Sequence, residues 1–336
     1  MDSITHIVLG ACIGEAVLDK RIGKKALVIG AAAQSIPDLD FIASFWMTPA
    51  RELLAHRGIT HSLLFVLLLS PLLGIIFHKL LKKRVPAVLL TAFFLLELLV
   101  HIFLDAFNNY GVGWFEPFNH LRVSFNTIYV ADVLMIIVPL TATIALFLHP
   151  INHKRRRAWA RFSIIFCAAY LAIASFNKYY ISSQAADAEV SQSLSHKYYF
   201  TTPAPLQSML WMVVTGDDNG YYVSYRSVFD SKSKPYQFTY FPRNEHYLDS
   251  LDDHPDIGYL KRFSNGFYTV EKWGDTLVFN DLRFGQIIGW QNPKERFVFH
   301  YFVQHPEENK IVVQRGRFAK WNWRVIKLFI RRVFGG

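Results

Sequence analysis

Long apolar runs broken by short basic loops fill the first half of the chain, and aromatic and β-branched residues alternating with polar ones fill the second. A membrane-spanning helix needs about 20 apolar residues, or about 17 at the short end. Four runs meet this, at Ser62–His78, Pro86–Leu104, Val130–Leu148 and Phe162–Ile181. Two shorter runs precede them, Ile4–Leu18 and Ala26–Ile36, with Lys20, Arg21, Lys24 and Lys25 between. These predict a helical hairpin that enters a membrane partway or packs against the other helices. From about residue 182 the texture is that of Tyr221-Tyr222-Val223-Ser224-Tyr225, punctuated by Asp217-Asp218-Asn219-Gly220, Asn265-Gly266 and Pro306-Glu307-Glu308-Asn309. Short alternating runs with such turns predict antiparallel strands. At the end, Phe318–Phe334 interleaves Lys320, Arg324, Lys327, Arg331 and Arg332 with Trp321, Trp323, Val325, Leu328, Phe329 and Val333. That pattern fits a helix lying on an anionic membrane surface, and equally one that covers the β domain. The predicted architecture is α+β overall. A mainly α, multi-pass helical bundle occupies 1–181, an antiparallel β domain 182–317, and a basic amphipathic helix 318–336.

Composition agrees with a chain part in lipid and part in water. It is 52% hydrophobic and 18% charged, with mean hydropathy +0.18. Lys and Arg outnumber Asp and Glu by 36 to 26, a net charge of +10. A basic balance points to nucleic acid or anionic lipid. The apolar runs favour lipid, and no nucleic-acid partner is expected. The two cysteines, Cys12 and Cys167, lie in apolar stretches. This excludes a disulfide framework and a Cys-rich zinc module, so a metal would be held by His and carboxylates. Met-Asp-Ser has no basic n-region, and no cleaved signal peptide is expected.

The charge of the loops orients the bundle. Residues 20–25, 79–84 and 154–161 hold thirteen Lys and Arg, whereas 37–61 and 105–129 hold only Arg51, Arg57 and Arg122. Basic loops are cytoplasmic, so 37–61, 105–129 and everything after Ile181 should face outside a bacterial inner membrane.

The polar residues at the run ends then share one side. His6 opens the first run, and Asp38 and Asp40 close the second. His56 and His61 stand before the first span, His101 and Asp105 end the second, and Asp132 opens the third. Imidazole with carboxylate suits zinc, and also manganese or iron. His101 and Asp105 are four apart, on one helix face. Glu97 is one turn earlier, and an ionisable residue inside an apolar helix is a functional candidate, here a ligand or a partner that orients His101. Arg57-Gly58 should break the chain between His56 and His61, with Thr60 capping the helix that follows. Arg57 suits an anion. His78, His149 and His153 lie on the basic side, and the later histidines show no ligand spacing. Taken singly, each residue has a plainer use as an interfacial or capping group.

Thr5-His6, Pro37-Asp38-Leu39-Asp40, His56-Arg57-Gly58-Ile59-Thr60-His61-Ser62 and His101 to Asp105 followed by Tyr110-Gly111 resemble the YdjM-type family. That family is described as bacterial inner-membrane, LexA-binding proteins expected to be metal-dependent hydrolases. The resemblance covers about residues 1–150. More distantly, the residues are similar to zinc-dependent phospholipase C and related single-strand nucleases, although their N-terminal Trp ligand is missing here. The implied function is a membrane-embedded metal-dependent hydrolase acting on a phosphoester or lipid-like substrate. His6, Asp38, His61, His101 and Asp105 would hold the metal. Asp40, His56 and Arg57 would serve catalysis, and Glu97 and Asp132 would be supporting groups or extra ligands. A non-catalytic metal-binding sensor or scaffold, whose β domain binds a partner, is the alternative. A metal transporter fits less well, since it would need ionisable residues through the depth of the bilayer.

Overall fold

The computed structural model describes residues 1–251, 254–309, 317–318 and 320–336. Residues 310–316, the end of the segment predicted as β, thus lie outside the described residues. Helices α1 (Ser3–Ile22), α2 (Lys25–Ser35), α3 (Pro49–Ala55), α4 (Leu63–Leu80), α5 (Ala87–Asp105), α6 (Val133–Leu148) and α7 (Arg156–Ser191) precede the strands. The chain divides into two compact units, Met1–Ala43 with Ala55–Ile173, and Ser44–Leu54 with Ala174–Gly336.

The first unit is helical, and its helices start where side chains cap them. Asp2 accepts from Thr5 N at 2.9 Å and opens α1. Ser62, rather than Thr60, caps α4 by accepting from Phe65 N at 3.1 Å. Among the described residues α4, α5 and α7 are long and apolar enough to cross a membrane. Helix α6 is shorter than the predicted run, because Val130–Asp132 end a loop and only 16 residues remain helical. At 1.5 Å per residue that is roughly 24 Å, short of a hydrocarbon core of roughly 30 Å. Helix α7 continues past Ile181 to Ser191.

The hairpin of α1 and α2 is closely packed. A Cβ on Gly30 would overlap the carbonyl oxygen of Gly10, and one on Gly14 that of Ala26. Only glycine lets these backbones touch, and this contact brings His6 on α1 beside Gln34 on α2. Ala11, Cys12 and Leu27 continue the packing against Ala142 and Leu146 of α6 and Ala160 of α7. Near the basic loops, Arg156 closes a buried ion pair with Glu15 at 2.6 Å.

In the second unit, β1 (Tyr198–Pro203), β2 (Leu210–Gly216), β3 (Gly220–Ser227) and β4 (Thr239–Pro242) form one antiparallel sheet in sequence order. Strands β5 (Tyr268–Trp273), β6 (Thr276–Gln286) and β7 (Phe297–Phe302) form another. Phe200, Met212, Val214, Tyr221 and Val223 of the first pack with Leu282 and Phe297 of the second. The Asp217–Gly220 turn closes the β2–β3 hairpin as predicted. Helix α8 (Pro255–Phe263), by contrast, sits in a stretch read as strands, burying Ile257, Leu260 and Phe263.

Helix α9 (Trp323–Val333) decides between its two expected uses on one face. Val325, Phe329 and Val333 are buried against Ala204, Leu210 and Trp290, so the helix covers the β unit. The α1–α2 contact makes a test of the first unit. Gly30→Leu should destabilise it by about 1–3 kcal/mol or more, read as a lower thermal midpoint of the purified protein, whereas Leu at exposed Val28 should leave the midpoint within about 1 °C.

Candidate metal centre

Asp38 comes from the 3-10 segment Pro37–Trp46, His61 from the short turn before α4, and His101 and Asp105 from the last turn of α5. Each offers one donor atom, and these atoms lie within 4.8 Å of one another. His61 Nε2 is 3.1 Å from His101 Nε2 and 3.3 Å from Asp105 Oδ2. Asp38 Oδ1 is 3.6 Å from both Nε2 atoms. His61, His101 and Asp105 are fully buried, and Asp38 is partly exposed.

The hydrogen bonds behind the imidazoles fix which nitrogen faces inward. His101 Nδ1 is 2.6 Å from the Gln34 carbonyl, which can only accept, so Nδ1 carries the proton. Thr60 Oγ1 donates to Asp40 Oδ2 at 3.1 Å and accepts from His61 Nδ1 at 3.0 Å. Gln34 Nε2 donates to the Glu97 carbonyl at 2.9 Å, which turns Gln34 Oε1 toward His6 Nδ1 at 3.2 Å. His6 stacks on His101 with centroids 3.9 Å apart, and its Nε2 lies 3.2 Å from Asp105 Oδ1. In the neutral state all three Nε2 atoms are therefore bare lone pairs aimed at one another or at carboxylate oxygen. Asp105 Oδ2 is buried, with the Arg57 guanidinium 3.0 Å away. The His61 and His101 lone pairs, 3.1 Å apart with no proton between them in these tautomers, repel each other, and a metal ion relieves that repulsion. Zn–N and Zn–O bonds near 2.1 Å put the donors of a tetrahedron roughly 3.4 Å apart, close to the separations here. The four residues fit a divalent metal, with His6 beside them.

Asp40 does not face the cluster as a free base. Its Oδ1 accepts from His56 Nδ1 at 2.8 Å, and its Oδ2 accepts from Arg57 N at 2.7 Å and from Thr60. Burial pushes the Asp38 and Asp40 carboxyls up. The histidines hydrogen-bonded to each outweigh this, and both titrate well below the usual carboxylate range. Burial lowers His56, with Asp40 opposing. Arg57 has a left-handed backbone, φ +60°. Its guanidinium lies 3.0 Å from Asp105 Oδ2, donates to Asn108 Oδ1 at 2.7 Å and to the Met1 carbonyl at 3.1 Å, and rests on the Tyr110 ring. The Met1 ammonium also contacts Asp105.

Two candidates take other places. Asp132 is the N-cap of α6, accepting from Leu134 N at 3.0 Å and from the Tyr170 hydroxyl at 2.7 Å. Glu97 does not orient His101, since the Gln34 carbonyl does. Gln34 was not expected at the site, and Asn108 was expected only as part of a turn at its mouth. The signal for Gln34 was available, as it is a polar residue inside the apolar run 26–36.

Apolar helices long enough to span a bilayer, carrying a buried His/Asp cluster that can hold a metal ion, define the class as a membrane protein with a candidate metal centre. The chain belongs to the YdjM inner membrane protein family, whose family model matches residues 1–181. It is 30% identical over 149 residues to the uncharacterized protein YfhP of Bacillus subtilis strain 168, covering 42% of this chain and 45% of that protein. It is 31% identical over 121 residues to the inner membrane protein YbcI of Escherichia coli K12, covering 35% of this chain and 69% of that protein. The chain thus spans less than half the length of the first relative. No solved structure matches it.

Because the Thr60 hydroxyl holds Nδ1 of the ligand His61, Thr60→Val should weaken binding of added zinc about 10–100-fold, measured by competition with a chelating dye.

Proposed function

We propose that this protein is a multi-pass inner-membrane hydrolase whose metal centre, held by Asp38, His61, His101 and Asp105, acts on a phosphoester or lipid-like substrate where bilayer meets water. The observation that carries the reading is the convergence of two imidazole nitrogens and two carboxylate oxygens, all within 4.8 Å of one another, with each imidazole's other nitrogen held from behind. Zinc, or manganese or iron, supplies Lewis acidity when bound there. The chain's own groups do the rest. His56 is the imidazole that water reaches, its side chain 35% exposed and its ring centroid 6.2 Å from that of His61. With Nδ1 donated to Asp40, its Nε2 is left to take or return a proton. Asp40 positions His56 and the backbone of Arg57. Arg57, engaged on all sides, offers a fixed positive charge against negative charge that develops in the reaction.

Two apolar features support an amphiphilic substrate. Leu39, Phe41 and Ile42, beside Asp38 and Asp40, are 52%, 55% and 45% exposed. A cavity of 350 Å³ lined by Leu63, Leu99, Val100, Ile102, Phe103 and Trp114 lies on the same ends of α4 and α5 that carry the histidines and Asp105. An acyl chain suits both. The Lys and Arg asymmetry supports cytoplasmic basic loops and an extracytoplasmic β unit.

One observation favours the non-catalytic reading. The three best-buried donors have no exposure, and closed four-donor coordination is the mark of a structural or sensing site. Metal without any hydrolysis would favour it.

Elemental analysis of purified protein should give stoichiometric metal in the wild type and none in the His101→Ala, Asp105→Ala double variant. Absence of metal, with no uptake when it is added, would sink the proposal. A reporter fused after Gly336 should behave as extracytoplasmic, and a cytoplasmic result inverts the topology.

A further inference from the structure

Helix α9 has a second face, which the β unit meets only at its end, where the Phe334 ring stacks on Phe229 with centroids 5.5 Å apart. Val325, Phe329 and Val333 point inward. On the opposite stripe, Trp323, Ile330 and Phe334 are 69%, 52% and 65% exposed. Lys327 falls on that stripe, at the i, i+4, i+7, i+11 spacing of one helix face, with its ammonium 5.6 Å from the Trp323 ring centroid. Arg324 and Arg331, also exposed, flank it.

The charge on this face has one sign. From Lys310 to Gly336 the chain has eight Lys and Arg and no Asp or Glu. Two of them are committed within the unit, Lys320 to Glu295 at 2.7 Å and Arg332 to Asp230 at 2.9 Å. Arg324, Lys327 and Arg331 remain on the outer face with the aromatic and aliphatic side chains. Exposing Trp, Ile and Phe to water is unfavourable. Interleaved with Lys and Arg, they match the interfacial zone of a bilayer, where rings sit at headgroup level and cations meet anionic phosphate.

We propose that the outer face of α9 docks on the surface of an anionic phospholipid bilayer while its inner face holds the β unit. The occupant is the lipid surface because both halves of its chemistry are matched. Phosphate alone would leave Trp323, Ile330 and Phe334 wet, and an apolar partner would bury three cations. This inference does not depend on the metal centre.

The test uses the full chain in nanodiscs. A nitroxide is placed at Ile330→Cys, and a control at Asp275→Cys, an exposed turn between β5 and β6; the native Cys12 and Cys167 are buried. In discs of phosphatidylcholine with about a third phosphatidylglycerol, the label at 330 should be reached by oxygen and shielded from a water-soluble nickel chelate. The label at 275 should stay open to the chelate. Each Lys or Arg near an anionic surface is worth about a fivefold factor. Arg324→Gln, Lys327→Gln and Arg331→Gln together should therefore abolish most of the shielding, as should 1 M salt or discs of phosphatidylcholine alone. Circular dichroism should show the triple variant folded. A label at 330 as open to the chelate as that at 275, in anionic discs at low salt, overturns the proposal. So does shielding that appears only on adding RNA.

Discussion

A carboxylate cut off from water must be neutralised where it stands, and Asp105 is in that position. The Arg57 guanidinium and the Met1 ammonium bring the positive charge, and three imidazoles stand around it. Each is held by something else: Arg57 by Asn108 and Tyr110, His6 and His101 by Gln34, and His61 through Thr60 to Asp40. Removing one partner of such a buried charge leaves the rest uncompensated, which is far more damaging than losing a surface pair. The close contact of α1 with α2 serves the same end, because it places His6 and Gln34 at the carboxylate.

Much of this was legible because polar residues stand out in apolar runs. His6, His61, His101, Asp38 and Asp105 were visible as breaks in hydrophobicity, and loop charge placed them at one depth. Depth is not lateral position, however. Asp132 stands at a run end like the others but spends its oxygens on the first turn of α6 and on Tyr170. Gln34 gave the same kind of signal as Glu97, but an uncharged amide is less conspicuous than a carboxylate. Its backbone carbonyl, which orients His101, carries no side-chain signature at all. Which imidazole nitrogen faces inward is likewise a property of the partners behind each ring.

The β unit was readable as alternation and turns, and the exception has a physical reason. Helix α8 is nine residues long, too short for a firm helical period, and lies between strand-like stretches. Helix α9 admitted two readings because its sequence supports two faces. A helix with one apolar stripe buried and another exposed gives a strong amphipathic pattern without saying which partner meets which side.

The spread of the donors along the chain has a consequence for biogenesis. They run from Asp38 to Asp105, and His6, which meets Asp105, comes 99 positions before it. The cluster cannot close on a ribosome-bound chain until α5 has been made and has packed beside the first hairpin. Four-donor coordination of any ion it holds comes after that, so the last residue of α5 sets the earliest moment of maturation.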